Sequence, residues 1–435
     1  MLDKAARPMV SLVDKYLPDP YIFVLILSLV AFIAAMVFEG HGPMAVIEMW
    51  GNGFWSLLTF SMQMLLVLVT GFMLASTPFV RGILNRIASI ARTPGQAIVL
   101  VTFVALIASW INWGFGLVVG ALFAKALARQ VRVHYPLLIA SAYSGFIVWH
   151  GGLAGSIPLV IATEGHFTAD MIGVIGTGET IFAFFNLAII VALFIVVPLV
   201  NRMMLPKEED STYVDPAILD DEPDTSVSIQ RPADHLENSR ILAWLVGFSG
   251  LAFIFQYFMN GGGLNLNIVN FMFLFLAIIL HQTPKRLLDS LHEAVKGGSG
   301  IVIQFPFYAG IMGVMTASGL AASISTGFAS MATAQSLPFW SFISAGLVNI
   351  FVPSGGGQWA VQAPVMLPAA QELGASIPRV AMGVAWGDAW TNLLQPFWAL
   401  PVLAIAGLKA KDIMGYCLML LIITGVIISV GLTWL

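Results

Sequence analysis

FWSFISAGLVNIFVPSGGGQWAVQAPVMLPAAQ, residues 339–371, is an apolar run interrupted near its middle by PSGGG at residues 353–357. Each side of the interruption has roughly 15 residues, or about 22 Å of helix, which is short for a hydrocarbon core of about 30 Å. The pattern therefore predicts a re-entrant helical hairpin whose tip lies inside a membrane.

Three other apolar runs are interrupted in a similar way. The run at residues 97–128 is broken by NWG at residues 112–114, which predicts a second hairpin. Two further runs are too long for one plain span and are broken at residues 150–152 and 388–396. The breaks thus occur in pairs, one of each kind in each half of the chain.

The composition of the whole chain is that of a membrane protein. Of its 435 residues, 58% are hydrophobic and 10% are charged, and the mean hydropathy is +0.89. Charged residues make up about a quarter of a typical soluble protein, so a water-soluble fold could not cover its surface with so few. Long apolar runs recur from residue 21 to the C-terminus, which predicts an all-α polytopic membrane protein.

The same composition excludes several classes of protein. The net charge of −4 argues against a nucleic-acid-binding surface. The single cysteine, Cys417, excludes a disulfide framework and a cysteine-based metal site. Residues 21–38 follow a charged segment that has no small-residue cleavage site, so we interpret them as a first membrane helix and not as a removed signal peptide.

An internal repeat relates the two halves of the chain at a spacing of 241–243 residues. Each match alone is weak, but a nearly constant spacing along much of each half predicts a duplicated unit. The matched pairs include Pro43 with Pro284, Gln63 with Gln304, Gly114 with Gly356, and Pro158 with Pro401.

The distribution of positive charge predicts the orientation, because Lys and Arg collect on the cytoplasmic side of a membrane. With the N-terminus cytoplasmic and both hairpins re-entrant, all but one of the 19 Lys and Arg residues fall on the cytoplasmic side, and only Arg379 falls outside. The loop at Pro43 then lies outside and its partner at Pro284 lies inside. We therefore expect two inverted repeats, with about nine transmembrane helices, two re-entrant hairpins and a periplasmic C-terminus.

Residues 201–240 differ from the rest of the chain, since they are rich in Asp, Glu and Pro and poor in apolar residues. Such a segment cannot bury a core, which favours a flexible linker, although a regulatory role stays open. The predicted parts are a cytoplasmic N-terminus at 1–20, membrane repeat 1 at 21–200 with its hairpin at 97–128, an acidic cytoplasmic linker at 201–240, a connecting helix at 241–259, and membrane repeat 2 at 264–435 with its hairpin at 339–371.

The four breaks are the predicted substrate site. Backbone N–H and C=O groups left unpaired at membrane depth persist only where protein or water encloses them, and the N-terminus of a half-helix suits a carboxylate. No Arg or Lys lies near a break, so backbone N–H groups, hydroxyls and amides would hold an anion. This favours a small monoanion over a dianion or a phosphate. Several tryptophans crowd the same segments and could enclose a short acyl chain, although packing is their commoner role.

Asp388 is the only acidic residue deep in a predicted span, which makes it a candidate for proton coupling. The structural alternative is that it caps a half-helix. For His150, a role as a hydrogen-bonded core histidine is an equally good interpretation. The glycines at 355–357 can also be explained structurally, because a tight hairpin tip needs glycine whatever ligand binds there.

Two motifs carry a resemblance to a known family: NIFVPSGGGQW at residues 349–359, and GDAWTN at residues 387–392 followed by Pro396. Together with YLPDP at 16–20 and WINWG at 110–114, they closely resemble the short-chain fatty acid transporter family, bacterial permeases associated with acetoacetate and butyrate uptake. A looser likeness extends to the C4-dicarboxylate carriers of the wider ion transporter superfamily.

The resemblance implies inverted repeats, a homodimer, elevator-type alternating access and a location in the bacterial inner membrane. It also implies that residues 354–358 and 388–392 form the substrate and cation site of the second half, and that residues 112–114 serve the first half. Carriers in the superfamily that use sodium tend to have a Ser-Asn-Thr triplet at the tips. This chain departs from that pattern, which favours protons, although sodium stays possible.

Other classes are less well supported. An intramembrane aspartyl protease needs two membrane aspartates, and only Asp388 qualifies. A zinc protease helix needs a second histidine after His292-Glu293, and the chain lacks it. A Ser/His pair for a hydrolase would have to be Ser156 with His150, which no further signal supports. No nucleotide-binding loop occurs, so ATP-driven pumping is not expected.

The sequence therefore predicts a secondary active transporter for short-chain monocarboxylates and not an enzyme. It is predicted to need no metal, cofactor or nucleic-acid partner, and to couple transport to protons. The open alternatives are a sodium-coupled dicarboxylate-type carrier and an anion channel. The coupling candidate is Asp388, and the candidate substrate-binding residues are Asn112, Trp113, Gly114, His150, Ser354, Gly355, Gly356, Gly357, Gln358, Thr391 and Asn392.

Overall fold

The computed structural model describes residues 20–215 and 231–435. Within these ranges the chain forms helices and connecting loops, with no strand. Most of the predicted N-terminal segment, residues 1–19, and the middle of the predicted acidic linker, residues 216–230, lie outside the described residues.

The first half of the chain contains ten α-helices. A 3₁₀ segment, Gly145–Gly151, separates the seventh from the eighth. In order they are α1 Pro20–Phe38, α2 Pro43–Gly53, α3 Leu58–Ala75, α4 Pro78–Ala88, α5 Pro94–Ile111, α6 Trp113–Gln130, α7 Tyr135–Ser144, α8 Ser156–Ile161, α9 Ala169–Ile172 and α10 Phe184–Met203.

The second half repeats this order after two connecting helices. The 3₁₀ segment Asn392–Leu394 here interrupts the corresponding span. The helices are α11 Pro232–Glu237, α12 Arg240–Met259, α13 Leu266–His281, α14 Pro284–Lys296, α15 Ser299–Ala317, α16 Leu320–Met331, α17 Leu337–Val348, α18 Gly355–Leu373, α19 Ile377–Thr391, α20 Pro396–Ala406 and α21 Ala410–Trp434.

The order of elements thus occurs twice: a span, a short helix, a span, a short helix, a hairpin, an interrupted span and a final span. The short helices α2 and α14 begin at Pro43 and Pro284, the pair that the sequence spacing matched. Proline suits the first position of a helix because its missing N–H would be unpaired there in any case. The structure also contains α4 and α16, which counting apolar runs does not reveal.

Eight helical segments of the described chain are long and apolar enough to cross a membrane. This is the pattern of a multi-pass membrane protein. In the interrupted span of the first half, Tyr135–Ile161, 94% of an 18-residue apolar window is buried inside the protein. Lipid cannot satisfy the backbone groups freed by a break, so the protein has to enclose them. The eight segments are Tyr21–Phe38, Leu58–Ala75, Pro94–Ile111, Tyr135–Ile161, Phe184–Met203, Pro232–Met259, Ser299–Ala317 and Ala410–Trp434.

Both hairpins turn at a residue that caps the following helix. The Asn112 side chain accepts a hydrogen bond from the Phe115 N–H at 2.9 Å, and the Ser354 hydroxyl accepts one from the Gly357 N–H at 3.3 Å. Both caps have extended backbones, with φ of −159° and −157°. Asparagine and serine are favoured caps because their side chains satisfy N–H groups that the helix leaves unpaired. The two tips are therefore built alike, one in each half.

Two histidines connect the halves at corresponding places. His41, in the loop after α1, lies 3.0 Å from the Ser318 carbonyl oxygen at the end of α15. His281, the last residue of α13, lies 2.7 Å from the Met73 carbonyl oxygen near the end of α3. A carbonyl oxygen only accepts, so the Nε2–H of each imidazole is the donor. Each half thus binds a helix end of the other.

Candidate functional site

A small cavity of about 40 Å³ lies between the two hairpin tips. Both tips, both interrupted spans and the flanking helices α3 and α15 contribute to its wall. The structure therefore brings all four breaks to one place. The residues that line the cavity are Met64, Leu68, Trp113, Trp149, Ser156, Gly297, Ile301, Gln304, Phe305, Pro353, Ser354, Gly355, Gly356 and Trp398.

The second hairpin tip reaches this position because it is made of glycine. A Cβ atom added to Gly355 would overlap His150 and lie 2.9 Å from the Trp149 ring. One added to Gly356 would overlap the Phe60 ring, and one added to Gly357 would overlap Tyr308. Real Cβ atoms do not come so close, so the tip can pack against its neighbours only without side chains.

His150 and Asp388 form a buried pair directly behind the cavity, and neither side chain has any exposed surface. Their Nδ1 and Oδ2 atoms are 3.1 Å apart. The Ile157 N–H, in the first turn of α8, donates to Nε2 of His150 at 3.1 Å. Because a backbone N–H can only donate, Nε2 is the acceptor and Nδ1 carries the hydrogen. The imidazole is therefore neutral and donates to the Asp388 carboxylate.

Asn349 holds the backbone around Asp388. Its Nδ2 atom lies 3.0 Å from the Asp388 carbonyl oxygen, 2.8 Å from the Thr391 hydroxyl and 3.2 Å from the Asn392 amide oxygen. Asn392 in turn places its Nδ2 atom 3.5 Å from Oδ2 of Asp388. Thr391 and Asn392 thus belong to the network behind the cavity and do not line it.

Three buried oxygen atoms in this region have no hydrogen-bond partner among the described residues: Oδ1 of Asn349, Oε1 of Gln358 and Oδ1 of Asp388. Buried polar atoms are normally paired, so each of the three needs an explanation such as a proton, an ion or a ligand.

The remaining predicted residues have structural contacts. Asn112 caps α6 and also lies 3.4 Å from the Val67 carbonyl oxygen through Nδ2. A Cβ atom on Gly114 would lie 2.9 Å from the Leu68 carbonyl oxygen, so this tip packs directly on α3. Gln358 donates to the Ala345 carbonyl oxygen at 2.8 Å and joins the two arms of its hairpin.

Aromatic rings enclose the cavity on one side. The ring centroids of Trp113 and Trp149 are 5.9 Å apart, and those of Trp113 and Trp398 are 5.5 Å apart. Trp149 also stacks on the His150 ring at 4.0 Å. None of the described lining residues is charged. The space is therefore bounded by indoles, hydroxyls, the Gln304 amide and apolar side chains, with the Asp388 carboxylate behind it.

Comparison with known proteins identifies the family. A family model described as "Short chain fatty acid transporter" matches residues 1–435. The chain belongs to the short-chain fatty acid transporter family.

Curated relatives of this family member match along their whole length. One from Escherichia coli (strain K12) is 45% identical over 438 residues, and one from Haemophilus influenzae is 44% identical over 447 residues. Both alignments cover 100% of this chain and 100% of the relative. Each relative carries a name that assigns short-chain fatty acid transport to it provisionally.

A solved structure has a related fold. The crystal structure of the Alcanivorax borkumensis YdaH transporter aligns with a TM-score of 0.59 and 17% sequence identity, covering 95% of this chain and 98% of the other. At this identity the likeness concerns the fold alone. The short-chain fatty acid transporter family member thus shares the fold of a membrane transporter.

Several residues of this family member lie at the site although they are not among the predicted site residues. Trp149, Ser156 and Gln304 line the cavity. Gln304 had a signal in the sequence, since it is a polar residue in an apolar span and matches Gln63 in the repeat. Asn186 had none. It donates to the Gly151 carbonyl oxygen at 3.0 Å and accepts from Nε1 of Trp386 at 3.0 Å, so it joins the first break to the helix that carries Asp388.

Proposed function

We propose that this chain is a secondary active transporter that carries short-chain monocarboxylates, such as butyrate and acetoacetate, together with protons. The observation that carries the proposal is the uncharged cavity between the hairpin tips with the buried His150–Asp388 pair behind it. Family membership supports the substrate class.

The lining of the cavity favours a monoanion. An anion there would meet the first-turn N–H groups of α18 and the hydroxyls of Ser156 and Ser354. The N-terminus of a helix carries roughly half a positive charge, which balances one carboxylate only in part. A dianion or a phosphate would need Arg or Lys, and the described lining contains neither. The site can therefore stabilise one delocalised negative charge.

Asp388 is the proposed proton carrier. A carboxylate removed from water costs several kcal/mol unless it is paired and hydrogen-bonded. Its Oδ2 accepts from the neutral His150, but its Oδ1 has no partner among the described residues. Adding a proton removes the buried charge. Because His150, the partner of Asp388, lies against Gly355 at the tip, a change in the charge of the pair would be felt next to the cavity wall.

We propose an inverted relation between the repeats, with the N-terminus cytoplasmic, the C-terminus periplasmic, and the protein in the bacterial inner membrane as a homodimer. The duplicated order of elements and the two corresponding histidine contacts support the repeat relation. Elevator-type movement follows from the family resemblance, and it requires the two tips and the interrupted spans to move together with the substrate.

A sodium-coupled carrier is the second candidate. It is favoured by the three unpartnered oxygens of Asn349, Gln358 and Asp388, because a hard cation is bound by oxygen atoms. A sodium ion there would compensate the Asp388 charge in place of a proton.

The test is uptake of radiolabelled butyrate and acetoacetate into sealed proteoliposomes, with pH and sodium gradients imposed separately. We expect accumulation with an inward proton gradient and none with a sodium gradient alone. Sodium-driven accumulation would replace the proton with the second candidate. Downhill flux without accumulation or counterflow would identify an anion channel, and no flux under any condition would overturn the substrate class.

A further inference from the structure

Two tryptophans at the cavity have indole N–H groups without a hydrogen-bond partner among the described residues. They are Trp113 at the first tip and Trp149 in the first break, and their side chains are 3% and 2% exposed. An indole nitrogen can only donate a hydrogen bond, and buried donors are normally paired. Both residues line the space between the tips. Two residues of the described cavity wall thus carry an indole N–H group that no described acceptor binds.

The orientation of both rings is set by neighbours other than a hydrogen-bond acceptor. Trp149 lies flat on the His150 ring, with 4.0 Å between centroids and 15° between planes. Trp113 meets Trp398 edge to face, at 5.5 Å and 82°. The donors are thus held in position in advance, so binding an acceptor there costs little side-chain ordering.

Two hydroxyls of the cavity lining add to the set of donors. Ser354 uses a lone pair to accept the Gly357 N–H, which leaves its O–H to be donated, and Ser156 contributes a second hydroxyl. The side chains from α3 and α15 are mostly apolar, among them Met64, Leu68 and Phe305. The wall therefore divides into a donor-rich part from the tips and the first break, and a part from the two flanking helices that is apolar except for Gln304.

We propose that the indole N–H groups of Trp113 and Trp149 bind the substrate carboxylate, while the side chains of α3 and α15 contact the acyl chain. This inference rests on the proposed function, because it assumes that a monocarboxylate occupies this cavity. In this proposal the two tryptophans donate hydrogen bonds to the carboxylate. They do not serve to enclose the acyl chain with their ring surfaces.

The test separates the two roles by chain length. Trp113→Phe and Trp149→Phe keep an aromatic ring and remove the N–H group. We expect the half-saturation concentrations for acetate, propionate and butyrate to rise about tenfold or more, by the same factor for all three, because each acid has the same carboxylate. A factor that grows with chain length would overturn the proposal in favour of contact with the acyl chain, and unchanged values would remove the indoles from the site.

Trp50→Phe is the matched control. Its indole nitrogen is also buried without a partner among the described residues, but Trp50 belongs to α2 and does not line the cavity. The half-saturation concentration of this variant should therefore stay within about twofold of the original protein. A loss in the control as large as that in the cavity variants would overturn the proposal.

A ratio measured within each variant removes the effect of folding. Butyrate and butyramide compete with labelled butyrate, and they differ only at the carboxylate. We expect the preference for butyrate over butyramide to fall about tenfold in both cavity variants and to persist in Trp50→Phe. A preserved preference would mean that the indoles support the site without touching the carboxylate, which would overturn the proposal alone. Absence of butyrate uptake by the unmodified protein would instead overturn the proposed function.

Discussion

At the scale of single residues, Asp388 and His150 are the centre of the proposed mechanism. The two residues lie in different halves of the chain and 238 positions apart, and they meet in the protein interior with no exposed surface. Ile157 closes the arrangement by occupying the other imidazole nitrogen.

Asp388→Asn should uncouple transport from the proton gradient. Asparagine has nearly the shape of the neutral acid, so we expect the protein to fold and to exchange labelled for unlabelled butyrate. Gradient-driven accumulation should fall to the level reached without a gradient, and the exchange rate should lose its dependence on pH. Uptake into proteoliposomes at several pH values measures both.

Asp170→Asn is the matched control, since Asp170 is exposed and lies on α9 away from the cavity. It should accumulate butyrate like the original protein. Unchanged pH dependence in Asp388→Asn would contradict the proton role.

Sequence reasoning selected Asp388 because a charged residue deep in an apolar run is conspicuous. It could not predict the partner, because several histidines occur in the chain and the pairing depends on how the two halves pack. It also could not separate Trp113 and Trp149, which line the cavity, from Trp359, which is fully buried away from the lining. The direction of a side chain into a cavity is set by tertiary packing and leaves no local pattern.

At the scale of elements, the second tip shows how a motif sets a position. The GGG sequence at residues 355–357 begins α18 and presses its first turn against the first break. Each added Cβ atom would meet a ring: His150, Phe60 or Tyr308. Gly355 and Gly356 therefore determine how closely the tip approaches the first half, and Gly357 determines how closely it approaches α15 of its own half.

Gly355→Ala should weaken both the fold and the transport activity. The new methyl group would overlap His150, so either the tip or the imidazole must shift. Overpacking of this kind costs about 1–3 kcal/mol of stability, and we expect a thermal midpoint in detergent several degrees lower. Displacement of His150 should also lower butyrate uptake about tenfold or more, as measured in proteoliposomes.

The matched control is Gly178→Ala, where an added Cβ meets nothing within 4 Å. It should unfold and transport like the original protein. Equal behaviour of the two alanine variants would show that the tip does not depend on its close approach to His150.

The positions of many helices can be predicted from the lengths of the apolar runs and from the residues that start helices. The first hairpin is predicted at 97–128 and lies at Pro94–Ile111 and Trp113–Gln130. The short helices α4 and α16 were harder to predict. A helix such as α4 has the signals of a surface helix, with Thr77 as its cap and Pro78 at its first position. It is too short for a span, so counting apolar runs overlooks it.

At the scale of the whole molecule, the proposed inversion of the repeats has a direct test. Met44 in α2 and Lys285 in α14 are exposed residues at corresponding positions of the two repeats. We expect a membrane-impermeant thiol reagent to label Met44→Cys in intact cells, and to label Lys285→Cys only after the membrane is permeabilised. The native Cys417 is fully buried and should not react. Labelling of both variants from the same side would contradict the inversion.

The duplicated order of elements was predictable because the repeats keep a nearly constant spacing in sequence. The contacts between the two halves could not be predicted from the sequence. His41 and His281 match closely in the repeat, but nothing in the sequence identifies the carbonyl groups of Ser318 and Met73 as their acceptors. These bonds join helix ends that come together only once both halves have folded.

The uncharged lining of the cavity has a consequence for energetics. If one proton on Asp388 accompanies each monocarboxylate, the loaded site carries the single negative charge of the substrate, and the empty site carries the single negative charge of the ionised Asp388. The cycle is then electroneutral, and the membrane voltage, which supplies about 2.3 kcal/mol per charge for each 100 mV, does no work on it. The pH difference and the ratio of acid concentrations alone set the direction of flow. A cell that fills with acid products would therefore export them through the same protein that imports them from a richer medium.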